Sequence, residues 1–402
     1  MTDSPVSRRS TAIANVTPFQ RLTAFMRGPY ADWAGEPDAL DFTFGNPHEP
    51  PMAAYVDALR DSLTPRDDQW FAYKWSEPVA QEAAAASLRR WLGVPFAPED
   101  ILMTTGGFSA IALALKLVAD PGDEVVFNLP PWFAYEGIVV EAGLVPVKVR
   151  LDPATFDLDL DAIAAAITPR TRVVIVNTPN NPTGRICPEA TLRRLAELLD
   201  DASARNGRRI YLLSDEAYNR IVFDGARFQS PIAFYPPTLL AYSYGKTLLA
   251  PGQRIGYLAL SPDLPERQAL REAAFLLEAT IGFIYPNALL QHALPRLEAL
   301  SLDIPDLQRK RDWLVAALTD MGYRVRPPEG TFYLFPESPI ADDRAFADLL
   351  AESGVLVVPG WVFETPGYFR ICLTANDAMI ERSLPGFATA MERARTDRSG
   401  RR

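Results

Sequence analysis

The sequence predicts an α/β protein in which a large domain holds a mostly parallel central sheet and a smaller α+β domain sits beside it. Three observations lead there. Between about residues 100 and 260, helical patterns alternate with short β-branched runs, as expected of a parallel sheet covered by helices. Around Tyr285 and Pro286 the pattern changes to long charged helices followed by short strands. And 402 residues exceed what one hydrophobic core usually organises, about 250 to 300.

In chain order, the segment up to Gly45 shows no convincing core of its own and is expected to pack against the C-terminal domain. The expected division is a large domain over 46–285 and a discontinuous small domain over 1–45 and 286–402. Gly106 and Gly107 open a run, 108–118, that is apolar almost throughout and reads as a buried helix whose N-terminus is available to an anion. Strands are expected at 123–129, 145–149, 172–177 and 210–214, where β-branched and apolar residues end in turn formers. Functional groups then fall at strand ends, where ligands of open α/β sheets bind. Residues 306–321 read as a charged helix, 330–335 and 369–373 as short strands, and 396–402 as a disordered tail.

Composition narrows the function. Hydrophobic content of 48% against 22% charged residues suits a soluble globular protein with a sizeable core. A formal net charge of -10 gives no basic field for a nucleic acid. Cys187 and Cys372 provide no disulfide framework, which points to a reducing cytoplasm. No apolar run suits a signal peptide or approaches the roughly 20 residues of a membrane span. His48 and His292 cannot form a multi-histidine metal site with two scattered cysteines.

Three runs carry chemistry. Residues 243–256 read S-Y-G-K-T-L-L-A-P-G-Q-R-I-G. On its own Lys246 is as well explained as a solvated or snorkelling amine; desolvated and near a second cation such as Arg254, it becomes a nucleophilic free amine. Residues 177–184 read N-T-P-N-N-P-T-G, and 214–218 read S-D-E-A-Y. The first is good turn chemistry, but Asn181 also offers an amide donor to a ring oxygen. Asp215 either caps a helix or pairs with a protonated pyridine nitrogen, which keeps such a ring an electron sink.

These runs, with the late F-R-I stretch around Arg370, occur in the order and approximate spacing of the class I and II aminotransferases, and the chain resembles that family over most of its length. The resemblance implies an aspartate-aminotransferase-like fold, fold type I of the pyridoxal-phosphate enzymes, with pyridoxal 5'-phosphate as cofactor. It implies that Lys246 binds the cofactor as a Schiff base and shuttles the proton from the substrate Cα. Asp215 would pair with the pyridine nitrogen, Asn181 and Tyr218 would bond the phenolic oxygen, and Trp132 would stack on the ring. The phosphate would be held by the Gly107 and Phe108 amides, Ser243 and Arg254, which agrees with the anion affinity of helix N-termini and arginine forks. Arg370 would clamp the substrate α-carboxylate, with Gly45 on the substrate side. A homodimer with shared sites is implied, Tyr73 reaching the partner's phosphate.

Two departures bear on substrate. Gly245 stands where many relatives place a second phosphate-binding hydroxyl. Residues 107–109 lack the cation that some aspartate-specific relatives carry, and a distal carboxylate in a partly dry pocket needs one. With Phe19, Phe44, Phe108, Phe332 and Tyr333 as apolar candidates, the expected reaction is transfer of the amino group of a neutral or aromatic L-amino acid to a 2-oxo acid. The alternatives are the same cofactor directed to β-elimination, cyclisation or oxidation and, further off, a non-catalytic amino-acid sensor.

Overall fold

The computed structural model describes residues 5–282 and 285–400. Three short helices, Arg8–Ala14, Thr17–Met26 and Tyr30–Trp33, precede β1 (Leu40–Asp41). Helices Ala53–Ser62 and Pro78–Leu92 lead into the central sheet, made of β2 (Ile101–Thr104), β3 (Glu124–Leu129), β4 (Val145–Arg150), β5 (Thr171–Asn177), β6 (Tyr211–Asp215), β7 (Thr238–Ser243) and β8 (Gly256–Leu260).

The seven strands run in the order β2-β8-β7-β6-β5-β3-β4. Strands β3 to β7 are parallel, whereas β8 is antiparallel to both β7 and β2. The four strands expected from sequence appear within a residue of their anticipated ends. Strands β5, β6 and β7 are buried along nearly their whole length, because helices cover both faces; hence their near-continuous apolar runs. On one face the core joins helices Gly107–Val118, Tyr135–Glu141 and Arg267–Glu278 to the sheet. On the other it joins Leu160–Ala166 and Glu189–Asn206.

The second region holds a three-stranded sheet, β11-β12-β9, and a two-stranded one, β1-β10. Its strands are β9 (Tyr333–Leu334), β10 (Val355–Leu356), β11 (Val358–Pro359) and β12 (Phe369–Cys372). Helices Ile304–Met321, Asp343–Ala351 and Asp377–Gly400 pack over them around Phe346, Phe369 and Phe387. The last helix runs through the first part of the tail expected to be disordered, and residues 401–402 lie outside the described residues.

The N-terminal segment touches both regions. Strand β1 pairs in parallel with β10, and Leu40 and Phe42 join the C-terminal core. Phe19 instead packs against the large-domain core so closely that a Cβ on Gly137 would lie 2.2 Å from its ring. Helix Ala288–Leu297, just past the expected boundary near 285, also packs on the large-domain side, against Tyr55, Ala58 and Ala84.

Candidate active site

The parallel strands end together, and their C-terminal residues define a cavity. Asn177 closes β5, Asp215 closes β6 and Ser243 closes β7. The space, about 100 Å³, is lined by Gly107, Phe108, Trp132, Asn181, Asp215, Tyr218, Ser243, Lys246 and Arg254, together with Ile111, Asn177 and Ala217. Arg370, on β12, reaches this group through Asn181: its Nη1 donates to Asn181 Oδ1 at 3.0 Å.

Lys246 stands on the short helix Tyr244–Thr247 that follows β7. Its ammonium lies 5.9 Å from the ring centres of both Tyr218 and Phe332. Burial is the main reason its pKa falls to about 8; Arg370 and Arg254 add to the fall, against the opposing influence of Cys372 and Asp215. A free amine is therefore accessible near neutral pH, which an unperturbed lysine does not offer.

Asp215 has the opposite problem. Burial raises its pKa, and the Tyr135 hydroxyl, the Ala217 N–H and the charge of Lys246 oppose that rise. Tyr135 donates to Asp215 Oδ2, and Asn177 Nδ2 donates to the Asp215 carbonyl at 3.0 Å. Among the described residues no salt bridge reaches the carboxylate. A buried carboxylate held by hydrogen bonds but lacking a cation is a seat for a cationic ligand nitrogen.

Across the cavity the unused groups are donors. Gly106 takes φ +106°, open to glycine, and lets the helix Gly107–Val118 start with no side-chain cap. The Arg254 Nη2 lies 2.9 Å from where a Gly106 Cβ would stand, and the guanidinium's hydrogen bond goes to the Pro251 carbonyl at 2.7 Å, with no acidic partner among the described residues. Ser243 is buried and its hydroxyl makes no hydrogen bond among the described residues. Helix N–H groups, a hydroxyl and an arginine converging on one place make a dianion seat.

Arg370 is 2% exposed. Its Nη2 donates to the Thr43 carbonyl at 2.6 Å, its Cζ lies 4.3 Å from the Tyr333 ring centre, and its Nε is buried without a partner among the described residues. Asn181 is fixed by Asn177, whose Oδ1 accepts from its backbone N–H at 2.7 Å, so its Nδ2 remains available. The Tyr218 and Tyr333 hydroxyls lie 3.3 Å apart. Trp132 stands edge-on to Phe108 and Tyr135.

Besides Arg370, two sequence-derived residues lie outside the cavity wall. Gly45 backs onto Phe332 and Tyr333, and a Cβ there would come within 2.7 Å of the Phe332 ring. Tyr73 is 84% exposed, pairs with Tyr285 at 4.7 Å and does not line this chain's own cavity. Gly245 is tightly placed: a Cβ would sit 3.1 Å from Pro251 Cα, so a hydroxyl-bearing residue would need that turn to shift. Sequence reasoning assigned no role to Tyr135, Asn177 or, as a site residue, Tyr333. The first two stood inside runs already singled out, P-P-W-F-A-Y and N-T-P-N-N-P-T-G.

A mostly parallel sheet with this constellation at its strand ends defines the aspartate-aminotransferase-like fold, fold type I of the pyridoxal-phosphate enzymes. Comparison with known proteins fixes the family: aminotransferase class I and II matches residues 37–385. The chain belongs to that family and is a pyridoxal 5'-phosphate-dependent aminotransferase. It is 33% identical over 336 residues to a probable aspartate/prephenate aminotransferase of Thermus aquaticus, covering 78% of this chain and 82% of that protein. Among solved structures, an amino transferase from Eubacterium rectale superposes with a TM-score of 0.89 at 29% identity, covering 97% of this chain and 99% of that one. An aspartate aminotransferase from Thermus thermophilus with maleate gives 0.82 at 28% identity, covering 96% and 100%. The cavity suits the cofactor: a dianion seat at one end, a buried carboxylate without a cation at the other, and a lysine amine between.

Proposed function

We propose that the enzyme transfers the amino group of a neutral or aromatic L-amino acid to a 2-oxo acid, with Lys246 as covalent anchor and proton carrier. The observation that carries this is the desolvated Lys246 amine, its pKa lowered to about 8, in one cavity with the unpaired Asp215 carboxylate. When bound, the cofactor supplies an aldehyde and a ring that withdraws electrons from the substrate Cα.

In this reading the chain's residues divide the work. Arg254, Ser243 and the Gly107 and Phe108 N–H groups hold the phosphate. Asp215, kept in register by Tyr135 and Asn177, keeps the pyridine nitrogen protonated, and Trp132 covers the ring. Asn181 Nδ2 and the Tyr218 hydroxyl donate to the phenolic oxygen. Arg370, with its spare Nε, receives the substrate α-carboxylate, and the Lys246 amine, released as substrate binds, removes the Cα proton.

Substrate class follows from what the cavity lacks. Lys246 and Arg254 are the cations among its lining residues, and each is occupied by the cofactor, while Phe108, Ile111 and Trp132 offer apolar surface. Phe19 contributes to the core rather than to this surface. An acidic donor is the second reading, favoured by the aspartate named for the relatives. The same proposal includes a homodimer in which the exposed Tyr73 completes the partner's phosphate seat. It also includes a cytoplasmic location, suited to the free, buried thiols of Cys187 and Cys372; no helix of the described residues is long and apolar enough to cross a membrane.

Absorption spectra of the holoenzyme with single amino acids, without 2-oxo acid, test this. L-phenylalanine is expected to discharge the lysine-bound cofactor band and release one 2-oxo acid per site. A response to L-aspartate alone would select the acidic reading. Ammonia release would select elimination or oxidation, and silence with every amino acid would contradict amino transfer.

A further inference from the structure

A second cavity, of about 320 Å³, lies outside the cofactor site. It is bounded by the C-terminal end of helix Pro78–Leu92, the segment that follows Tyr218, and β8. Its wall is apolar on one side, through Leu88, Trp91, Leu92, Val222 and Phe228. Trp91 is 61% exposed at its edge. The volume falls in the range of small-molecule pockets.

The polar groups of this wall are unevenly satisfied. Arg220 is committed, its Nη1 lying 2.5 Å from Glu298 Oε2 and its Nη2 donating to Ser87 at 3.0 Å. Tyr257 is fully buried, yet its hydroxyl has no hydrogen-bond partner among the described residues. Asn219 donates through Nδ2 to Glu216 Oε2 at 3.0 Å, which fixes the amide's orientation and leaves Oδ1 buried and, among the described residues, unpartnered. Arg227 makes no ion pair or hydrogen bond among the described residues, and no acidic residue lines the cavity.

Buried polar atoms in native proteins are nearly always satisfied, so orphans around a cavity mark where a ligand's groups belong. The unmet demands here are specific. Arg227 calls for an anion, Tyr257 Oη accepts or donates, Asn219 Oδ1 calls for a donor, and the remaining surface calls for an apolar body. A carboxylate, an ammonium and an apolar side chain on one small molecule meet all of them. We propose that this cavity is a second binding site for a free α-amino acid with an apolar or aromatic side chain, separate from the catalytic site. Its link to that site is short, because Asn219 holds Glu216, the residue after Asp215.

Equilibrium dialysis of labelled L-phenylalanine against holoenzyme whose cofactor has been fixed to its lysine by borohydride tests the assignment by counting sites per chain. A site beyond the catalytic one is expected, and Arg227→Ala and Tyr257→Phe should each weaken it roughly tenfold or more, the effect of one hydrogen bond to a charged group. Unreduced Arg227→Ala enzyme, changed only at an exposed side chain, should keep wild-type kcat and KM. Binding indifferent to both substitutions, or no site beyond the catalytic one, would overturn the proposal while leaving the aminotransferase reading intact.

Discussion

Asp215 and Arg220 stand five positions apart in the sequence, and both are charged groups taken out of water. Arg220 is met at once by Glu298, which is braced in turn by the Tyr244 hydroxyl at 2.8 Å. Asp215 is met by a phenol and an amide and feels the charge of Lys246, but among the described residues no cation forms a salt bridge with it. The contrast separates structural from functional charge. A buried ion whose partner is supplied by the chain holds the fold in register; one whose partner is withheld is poised for a ligand, and carries a standing cost until that ligand arrives.

Substitutions can break or sharpen this contrast. The largest effect is expected at Lys246, where Lys246→Ala should lower turnover on the order of 10⁴-fold or more, because no other amine in the cavity can both anchor and carry a proton; steady-state rates of the cofactor-loaded variant check this. Next comes pH. With the Lys246 pKa near 8, the rate of cofactor uptake by cofactor-free enzyme should rise on the order of tenfold per unit below that pH and level off above it, following the free-amine fraction. Stopped-flow absorbance reads this directly.

Tyr135→Phe removes the hydroxyl that holds Asp215 without touching substrate. It is expected to lower kcat about tenfold, the loss of one hydrogen bond to a charged group, with KM little changed. The smallest effect on activity belongs to the structural pair. Glu298→Gln should leave kcat near wild type yet reduce stability by about 3 kcal/mol, since it strands Arg220; denaturant unfolding alongside kinetics would show the split.

Much of this was legible in the sequence, for reasons that differ by residue. The runs at 172–177 and 210–214 announced buried parallel strands because both faces are covered and their middle positions are apolar without a break. Gly106 and Gly107 announced an uncapped helix start. The spacing of Asn181, Asp215, Lys246, Arg254 and Arg370 pointed to the candidate site, since each falls in a short run with its own chemical logic, and the fold gathers them around one cavity. Antiparallel β8 and the edge position of β2 were not legible, because alternation reports a strand's burial but not its direction. Tyr135 was hidden for another reason: its partner Asp215 lies 80 residues away, and nothing local distinguishes a bonding phenol from a packed one. From sequence Phe19 read as an apolar site residue or as core, and it packs partly buried against the core beside Gly137, a distinction that only tertiary packing makes.

The sharpest test of the unpaired charge is a thermal melt of wild type and Asp215→Asn, each with and without pyridoxal 5'-phosphate, at pH 8. Because the folded pKa of Asp215 is raised, ionising it as pH rises past the ordinary carboxylate range subtracts stability from the cofactor-free fold. Asparagine still accepts from Tyr135 but carries no charge to strand. Cofactor-free Asp215→Asn is therefore expected to melt at or above the wild-type temperature, and to gain clearly less from the cofactor than wild type does. A lower melting temperature for the cofactor-free variant, with an undiminished gain on adding cofactor, would show that Asp215 serves the fold rather than the cofactor.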